Sequence, residues 1–400
     1  MLRNLLFQVH WFLGITAGLV LAMVGVTGAM LSYEDAVLRA INPGVLVVPS
    51  EGRERLSPAG LVALVQAAEP DKTLQSLTLS AEADAPVRVG FAPTPGASAG
   101  PRGRARGETR LVDPYDGRFL PEVRGQDFFR TTMQLHRWLA TGEVGKQIVG
   151  ASTVALVFFC LSGLYLRWPR RWKSPRAWLL FDPALTGRRF LWHLHSVVAT
   201  WLLLPYLVMA LTGLYWSYGW YREGLYALSG AQAPQRGGPA RAAGDGSREH
   251  AQAVAGELAP LDLQTAFAIF ETQAGEWKTV TLRLPARPGA MLEFSYRRAE
   301  AAHDRATNRL ELDPASGQVQ AHELFTDQPA GQRFMSGIFP LHSGAWFGPV
   351  GLAVFCLASL AMPLFTVTGL QLYLDRRAKK RAGRQRRRER EQAAARRSAG

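Results

Sequence analysis

The sequence predicts an α-helical membrane protein with four transmembrane helices, a duplicated two-helix unit, together with two exported α+β modules. Three observations favour this fold class. Four windows carry almost no charge and exceed the about 20 apolar residues that cross a hydrocarbon core. These windows repeat one another in pairs, and basic residues are concentrated in a minority of the chain. The four windows are residues 11–33, 147–166, 196–221 and 343–374.

The first and third windows are repeats of each other. A shift of 185 residues places His10 on His195 and Thr27-Gly28 on Thr212-Gly213. The matching positions of the histidine and of the Thr-Gly pair indicate that the two segments are repeats.

The second and fourth windows repeat in the same way. A shift of 206 residues places His136 on His342 and Ser162-Gly163 on Thr368-Gly369. The sequence therefore predicts a duplicated pair of helices, with one histidine at the head of each helix.

The distribution of charge predicts the orientation in the membrane. Residues 1–9, 167–189 and 375–400 hold 20 Lys and Arg against 4 Asp and Glu, whereas the rest of the chain holds 26 against 28. By the positive-inside rule, both termini and the loop at 167–171 are expected to be cytoplasmic. The basic tail is expected to contact anionic lipid headgroups, and no nucleic acid is expected as a partner.

The first apolar segment is expected to stay in the protein as an anchor. Its apolar run is longer than the about 7–15 residues of a signal-peptide core, and it carries a histidine that its repeat also carries. Both cysteines, Cys160 and Cys356, lie inside predicted membrane segments. The exported loops are therefore expected to contain no disulfide, and no Cys-x-x-Cys-His motif is present for covalent haem attachment.

The segments between the helices predict two exported modules. In the first, Ser57 and Pro58 indicate a helix start, followed by strands over 74–79 and 87–91. An Asp-Pro-x-x-Gly hairpin at 113–117 recurs 200 residues later at 313–317. The second module is predicted to contain a helix over 261–270 and strands over 279–284 and 291–296, while residues 95–107 predict a loop and 230–256 a flexible linker.

A short helix over 133–138 is predicted to lie at the membrane interface and to end at Thr141-Gly142, before the second span. The predicted segments, in order, are transmembrane helix 1 (1–33), the first exported module (34–142), helix 2 (143–168), a cytoplasmic loop (169–189), helix 3 (190–221), the linker and second module (222–342), helix 4 (343–374) and the basic tail (375–400).

The four repeated histidines point to a cofactor. A histidine in or beside a membrane span is costly unless it has a partner. The predicted topology places His10 and His195 at the cytoplasmic side, and His136 and His342 at the exported side. Two imidazoles on facing helices suit a six-coordinate haem b, because each neutral nitrogen takes one axial position. Binding of a zinc or copper ion is a rival use of these histidines, but the further Cys or carboxylate ligands that such a site needs are lacking. In a third interpretation, the histidines are interfacial residues without a cofactor.

Small residues beside these histidines allow two interpretations. Gly14, Gly18, Gly25 and Gly28 fall within roughly 80° of the direction of His10 on a helix, which leaves a bare stripe for a porphyrin. The same spacing is typical of close helix packing. Arg137 is placed to pair with a haem propionate or to anchor in lipid.

His193 and His195 project about 160° apart on a helix, so they cannot both face one haem. The repeat favours His195, which aligns with His10, whereas His193 aligns with Gln8. Three further histidines, His250, His303 and His322, are assigned no role.

Several of these motifs resemble a known family. The stretches LHRWL at 135–139, SGLYLRWPR at 162–170 and VHWFLG at 9–14 look like the PepSY-associated transmembrane family of bacterial inner-membrane proteins, and the exported modules are similar to PepSY domains. That family includes iron-regulated proteins and ferrisiderophore reductases. The resemblance implies two non-covalent haems b, with iron ligands His10, His136, His195 and His342. Members commonly carry Gly four residues after the third-helix histidine, where this chain has Ala199.

The expected function is therefore that of a di-haem b reductase, a haem-dependent oxidoreductase that passes electrons from an unidentified cytoplasmic donor to a periplasmic ferric siderophore or other Fe(III) chelate. No catalytic triad or phosphate-binding loop indicates another enzyme. The alternative is a non-enzymatic PepSY protein that restrains a periplasmic protease or an envelope partner.

Overall fold

The computed structural model describes residues 1–93, 107–169, 172–233, 262–285 and 290–398. Most of the predicted loop at 95–107 and of the predicted linker at 230–256, with His250, lies outside the described residues. The chain divides into two compact units. The helical unit comprises residues 1–33, 128–224 and 338–400, and the sheet unit comprises residues 34–127 and 225–337.

The α-helices within the described residues are, in chain order, α1 (Leu2–Ser32), α2 (Glu34–Ile41), α3 (Pro58–Ala68), α4 (Gln126–Trp138), α5 (Glu143–Arg167), α6 (Pro175–Leu179), α7 (Gly187–Trp201), α8 (Leu203–Ser217), α9 (Gly219–Ser229), α10 (Leu263–Ala274), α11 (Ala330–Ser336), α12 (Ile338–Ser343), α13 (Gly348–Leu360) and α14 (Met362–Ser398).

The helical unit is a multi-pass membrane structure. Among the described residues, α1, α5 and the stretch Ala345–Gln392, which contains α13, are each long and apolar enough to cross a membrane. Helices α7 and α8 qualify only together, with a bend of 62° between them, which is the geometry of a broken span or of a re-entrant loop. The spans pack through a cluster that includes Leu21, Ala210 and Ala358, and the Tyr206 hydroxyl donates to the Ala358 carbonyl at 2.7 Å.

The break between α7 and α8 departs from the single third helix over 190–221 that the sequence predicts. The break falls at Leu202, and Pro205 lies in the first turn of α8. Proline has no backbone N–H and its ring clashes with the carbonyl four residues earlier, here that of Trp201. The proline therefore explains why α7 and α8 are two helices.

The sheet unit contains one seven-stranded antiparallel sheet in the order β3-β2-β1-β4-β5-β6-β7. The strands are β1 (Leu74–Ser80), β2 (Val87–Phe91), β3 (Thr109–Val112), β4 (Trp277–Arg283), β5 (Leu292–Arg298), β6 (Asn308–Leu312) and β7 (Val319–Glu323).

This single sheet replaces the two separate modules that the sequence predicts. Strand β1 of the first exported segment pairs with β4 of the second, with Leu77 opposite Leu282 and Thr78 opposite Thr281. The two threonine hydroxyls hydrogen-bond at 2.9 Å. Pairing covers an edge that each three- or four-stranded half would otherwise expose. Helices α3 and α10 contribute Leu61 and Phe270, among others, to one shared core.

The predicted turns and helix starts are confirmed. The Ser57 hydroxyl accepts a hydrogen bond from Gly60 N at 3.1 Å, with Pro58 in the first turn of α3. Both Asp-Pro-x-x-Gly turns close alike, since Asp113 Oδ1 accepts from Tyr115 N at 2.8 Å and Asp313 Oδ1 from Ala315 N at 2.9 Å. Their glycines have left-handed φ angles of 75° and 72°, which side chains disfavour.

The predicted break before the second span is also confirmed. Helix α4 ends at Trp138, and Leu139, Ala140 and Gly142 have positive φ angles of 50°, 55° and 66°. The chain therefore turns sharply before α5 begins at Glu143, which sets the direction of the end of α4 that carries His136.

Four histidines in repeated hydroxyl and glycine sockets

The four predicted histidines lie on four different helices of the helical unit, and each is half-buried. Each ring places Nδ1 within hydrogen-bond distance of a hydroxyl on a neighbouring helix. The pairs are His10 with Ser162 at 2.8 Å, His195 with Thr368 at 2.8 Å, His136 with Thr27 at 3.2 Å and His342 with Thr212 at 3.0 Å.

Each of these hydroxyl residues is followed by a glycine, and the ring lies against that glycine. A Cβ added to the glycine would lie close to the Cε1 atom of the imidazole. The distances would be 3.6 Å from Gly163 to His10, 3.8 Å from Gly369 to His195, 3.1 Å from Gly28 to His136 and 3.3 Å from Gly213 to His342. We call each hydroxyl-glycine pair a socket.

The sockets are exchanged within each half of the repeat. His10 of α1 occupies the socket on α5, while His136 of α4 occupies the socket on α1. The second half repeats the exchange: His195 of α7 uses the socket on α14, and His342 of α12 uses the socket on α8. The duplication seen in the sequence is thus preserved at the level of individual hydrogen bonds.

Across the two halves, the histidines form two pairs. The rings of His136 and His342, the second pair, have centroids 6.4 Å apart and planes at 71°. His10 and His195, the first pair, occupy equivalent sockets, Ser162-Gly163 on α5 and Thr368-Gly369 on α14. In the first pair, each ring also contacts an aromatic side chain edge-on, Phe159 at 5.1 Å and Phe365 at 5.3 Å.

The sockets favour one tautomer for every ring. Each hydroxyl lies within 2.5–2.8 Å of the carbonyl four residues earlier, to which it can donate its single proton. With its proton used there, the hydroxyl accepts a hydrogen bond from Nδ1–H of the histidine. The lone pair is then on Nε2, and none of the described residues hydrogen-bonds Nε2 of these four rings. This is the form in which histidine ligates a metal, with the other nitrogen held by a hydrogen bond.

The spacing of the second pair fits two axial ligands of one iron. Metal-imidazole bonds are about 2.0 Å long and a ring nitrogen lies about 1.1 Å from the ring centre, so two such ligands have centroids about 6.2 Å apart. The observed separation is 6.4 Å. Within the described ranges, no group of three or more His, Cys, Asp and Glu side chains is arranged to hold a bare metal ion.

The glycines of α1 have different surroundings. A Cβ at Gly14 would have no described atom within 4 Å, whereas at Gly18 it would contact Thr366 and at Gly25 it would lie 2.5 Å from the Ser359 carbonyl. Gly18 and Gly25 therefore allow close helix packing, Gly28 belongs to a socket, and Gly14 borders open space. Whether Gly14 and Gly18 line a cofactor stays a prediction.

Two further residues considered in the sequence have clear partners. The Arg137 guanidinium lies 4.3 Å from the centre of the Trp138 ring. His193 Nδ1 accepts from the backbone N–H of Asp182 at 3.3 Å, and its ring lies 5.6 Å from Phe181. His193 therefore contacts the loop before α7 and occupies none of the sockets.

The hydroxyls of the sockets are the site residues that sequence reasoning missed. The signal was available, because Thr27, Thr212, Ser162 and Thr368 recur with the same two shifts as the histidines. Their contact with the histidines could not be deduced, because it joins residues more than 100 positions apart on different helices.

Comparison with known proteins gives one family match. The model of the family described as the PepSY-associated TM region matches residues 7–376, nearly the whole chain. No curated protein matches the sequence.

Proposed function

Because the chain belongs to the PepSY-associated TM region family, we propose that it is a di-haem b oxidoreductase of the bacterial inner membrane, which passes electrons to a periplasmic Fe(III) chelate such as a ferric siderophore. One observation carries the proposal. Four imidazoles place Nδ1 against equivalent hydroxyls, the rings of His136 and His342 contact each other, and the four Nε2 atoms have no hydrogen-bond partner among the described residues.

Each pair of histidines would hold one haem. His10 and His195 would bind the first, and His136 and His342 the second. A bound haem supplies an iron that takes up and gives back one electron. The chain itself holds each imidazole in place, keeps Nδ1 protonated through the sockets, and supplies an apolar surrounding that sets the reduction potential.

The proposed direction of electron flow follows from the charge distribution. Basic residues at 1–9, 167–189 and 375–400 favour a cytoplasmic location for both termini. The first pair would then lie towards a cytoplasmic reductant and the second towards the periplasm. One electron converts one chelated Fe(III) to Fe(II), and no covalent bond to the protein forms or breaks. Chelators with hard oxygen ligands bind Fe(II) less tightly, so reduction would loosen the complex.

The test begins with the purified protein. We expect a Soret band and two extractable haems per chain. Protein reduced with dithionite should be reoxidised by a ferric hydroxamate, with a ferrous-specific trap capturing the product. The matching gallium(III) hydroxamate has the same charge and shape but cannot be reduced, so it should leave the spectrum unchanged.

Two results would refute the proposal. Protein without a Soret band, even after incubation with haem, would favour the alternative of a PepSY protein that restrains a periplasmic partner. Reoxidation by a quinone, but by none of the ferric chelates, would leave a di-haem protein with a different acceptor.

A further inference from the structure

We propose that the two haem sites depend on different parts of the same socket: the hydroxyl determines binding at the first pair, and the glycine determines it at the second. This inference rests on the proposed function, since it concerns how the chain holds the haem ligands. It arises from two differences between the sockets of the first pair and the sockets of the second pair.

The first difference is the number of acceptors for Nδ1–H. For His10 and His195, the socket hydroxyl at 2.8 Å is the one acceptor among the described residues. For His136, the Val24 carbonyl lies at 3.0 Å, closer than the Thr27 hydroxyl at 3.2 Å. The backbone of Met209, the equivalent of Val24 in the repeat, also lies beside the His342 imidazole. The second pair therefore keeps an acceptor when its hydroxyls are removed, and the first pair does not.

The second difference is the space between ring and glycine. A Cβ at Gly28 or Gly213 would lie 3.1 or 3.3 Å from the imidazole, which is closer than ordinary van der Waals contact. At Gly163 and Gly369 the distances would be 3.6 and 3.8 Å, which is ordinary contact. A methyl group would require the rings of the second pair to shift by a few tenths of an ångström and would leave the first pair in place.

These differences predict opposite sensitivities. The hydrogen bond at the second nitrogen orients a metal-bound histidine and increases its basicity, and its loss typically weakens metal binding about 10- to 100-fold. Loss of a hydroxyl should therefore weaken the first haem and raise its midpoint potential, because a less basic ligand stabilises Fe(III) less. A methyl group on a tight glycine should displace a ligand of the second haem.

The experiment compares four variants, two in the socket of His195 on α14 and two in the socket of His342 on α8. Thr368→Val and Thr212→Val remove a hydroxyl at nearly constant volume, and Gly369→Ala and Gly213→Ala add one methyl. His195→Ala and His342→Ala identify which spectral and redox component belongs to each pair. Thr16→Val is the control, because the Thr16 hydroxyl also donates to a helix carbonyl, that of Phe12 at 3.1 Å, but is exposed and outside the sockets. Haem per chain, the low-spin ferric EPR signals and the two midpoint potentials are measured.

We expect a crossed pattern. Thr368→Val should lose or shift the component of the first pair, and Gly213→Ala that of the second, whereas Thr212→Val and Gly369→Ala should change haem content much less. Thr368→Ser should restore the wild-type values because it returns the hydroxyl. If Thr368→Val does not give monodisperse protein, Ser162→Ala tests the same hydrogen bond from the other half.

The outcomes separate this inference from the proposed function. Wild-type protein without haem would refute the proposed function itself. Two haems in the wild type, with equal effects of Thr368→Val and Thr212→Val or of the two glycine variants, would refute the crossed dependence alone. A reversed pattern would also refute the crossed dependence alone.

Discussion

Two glycines on α1, Gly14 and Gly25, should respond to alanine in opposite directions. A Cβ at Gly25 would lie 2.5 Å from the Ser359 carbonyl and 2.6 Å from Met362 Cβ, so α1 would have to move away from its neighbours. Overpacking of this kind costs about 1–3 kcal/mol. At Gly14 no described atom lies within 4 Å of an added Cβ, and replacing an interior helix glycine with alanine gains up to about 1 kcal/mol.

The assay is unfolding of the purified protein in mixed micelles, followed by tryptophan fluorescence and compared at equal detergent composition. We expect Gly25→Ala to lower the midpoint of unfolding, and Gly14→Ala to leave it unchanged or raise it slightly. Gly60→Ala in α3 gives a reference for the same substitution in the sheet unit. The atom nearest to a Cβ added at Gly60 is the Ser57 hydroxyl oxygen, at 3.3 Å. Equal destabilisation by Gly14→Ala and Gly25→Ala would refute the assignment of Gly25, rather than Gly14, to close helix packing.

Three further predictions concern topology, the choice of ligand and pH. Cysteine placed at exposed Ser316 should react with an impermeant maleimide in intact spheroplasts, and cysteine at Arg377 only after lysis; the reverse pattern would contradict the proposed orientation. His195→Ala should remove one haem per chain and His193→Ala should keep both, as measured by haem extraction. Loss of a haem in His193→Ala instead would contradict the choice of His195 as the ligand. Burial lowers the pKa of His303 in the sheet unit below its usual value of 6.5. The unfolded state therefore binds the proton more tightly, and the free energy of unfolding should decrease as pH falls below 6.5. The midpoint of unfolding should accordingly fall less with pH in His303→Gln than in the wild type.

The histidine pairs could be predicted because the repeat supplied them. His10, His136, His195 and His342 stand at matching positions in the sequence, and the positive-inside rule sorts them into two sides. The sockets needed the structure, since the same Thr-Gly pair on a helix is equally compatible with a lipid-facing or a packed position. Only the packing of helices determines which hydroxyl meets which imidazole.

The sheet shows another limit of sequence reasoning. The strands around Leu77 and Leu282 were predicted correctly, because alternating apolar residues indicate a strand wherever it lies. An alternating pattern does not indicate which other strand a strand pairs with. The pairing of β1 with β4 could not be predicted because the two strands are about 200 residues apart in the sequence. The break between α7 and α8, in contrast, has a visible cause in Pro205, which the prediction of one helix over 190–221 does not take into account.

The pairing of histidines across the two halves has a consequence for symmetry. Each half of the chain supplies one imidazole to each pair, so under the proposed function a half expressed alone would contain two single haem ligands and no complete site. Two copies of that half would complete both sites only by associating around a two-fold axis, and an isologous dimer would then have identical residues on both sides of each site. Joining the halves in one chain removes that restriction. The first pair already shows the result, since the hydroxyl that holds His10 belongs to a serine and the one that holds His195 belongs to a threonine.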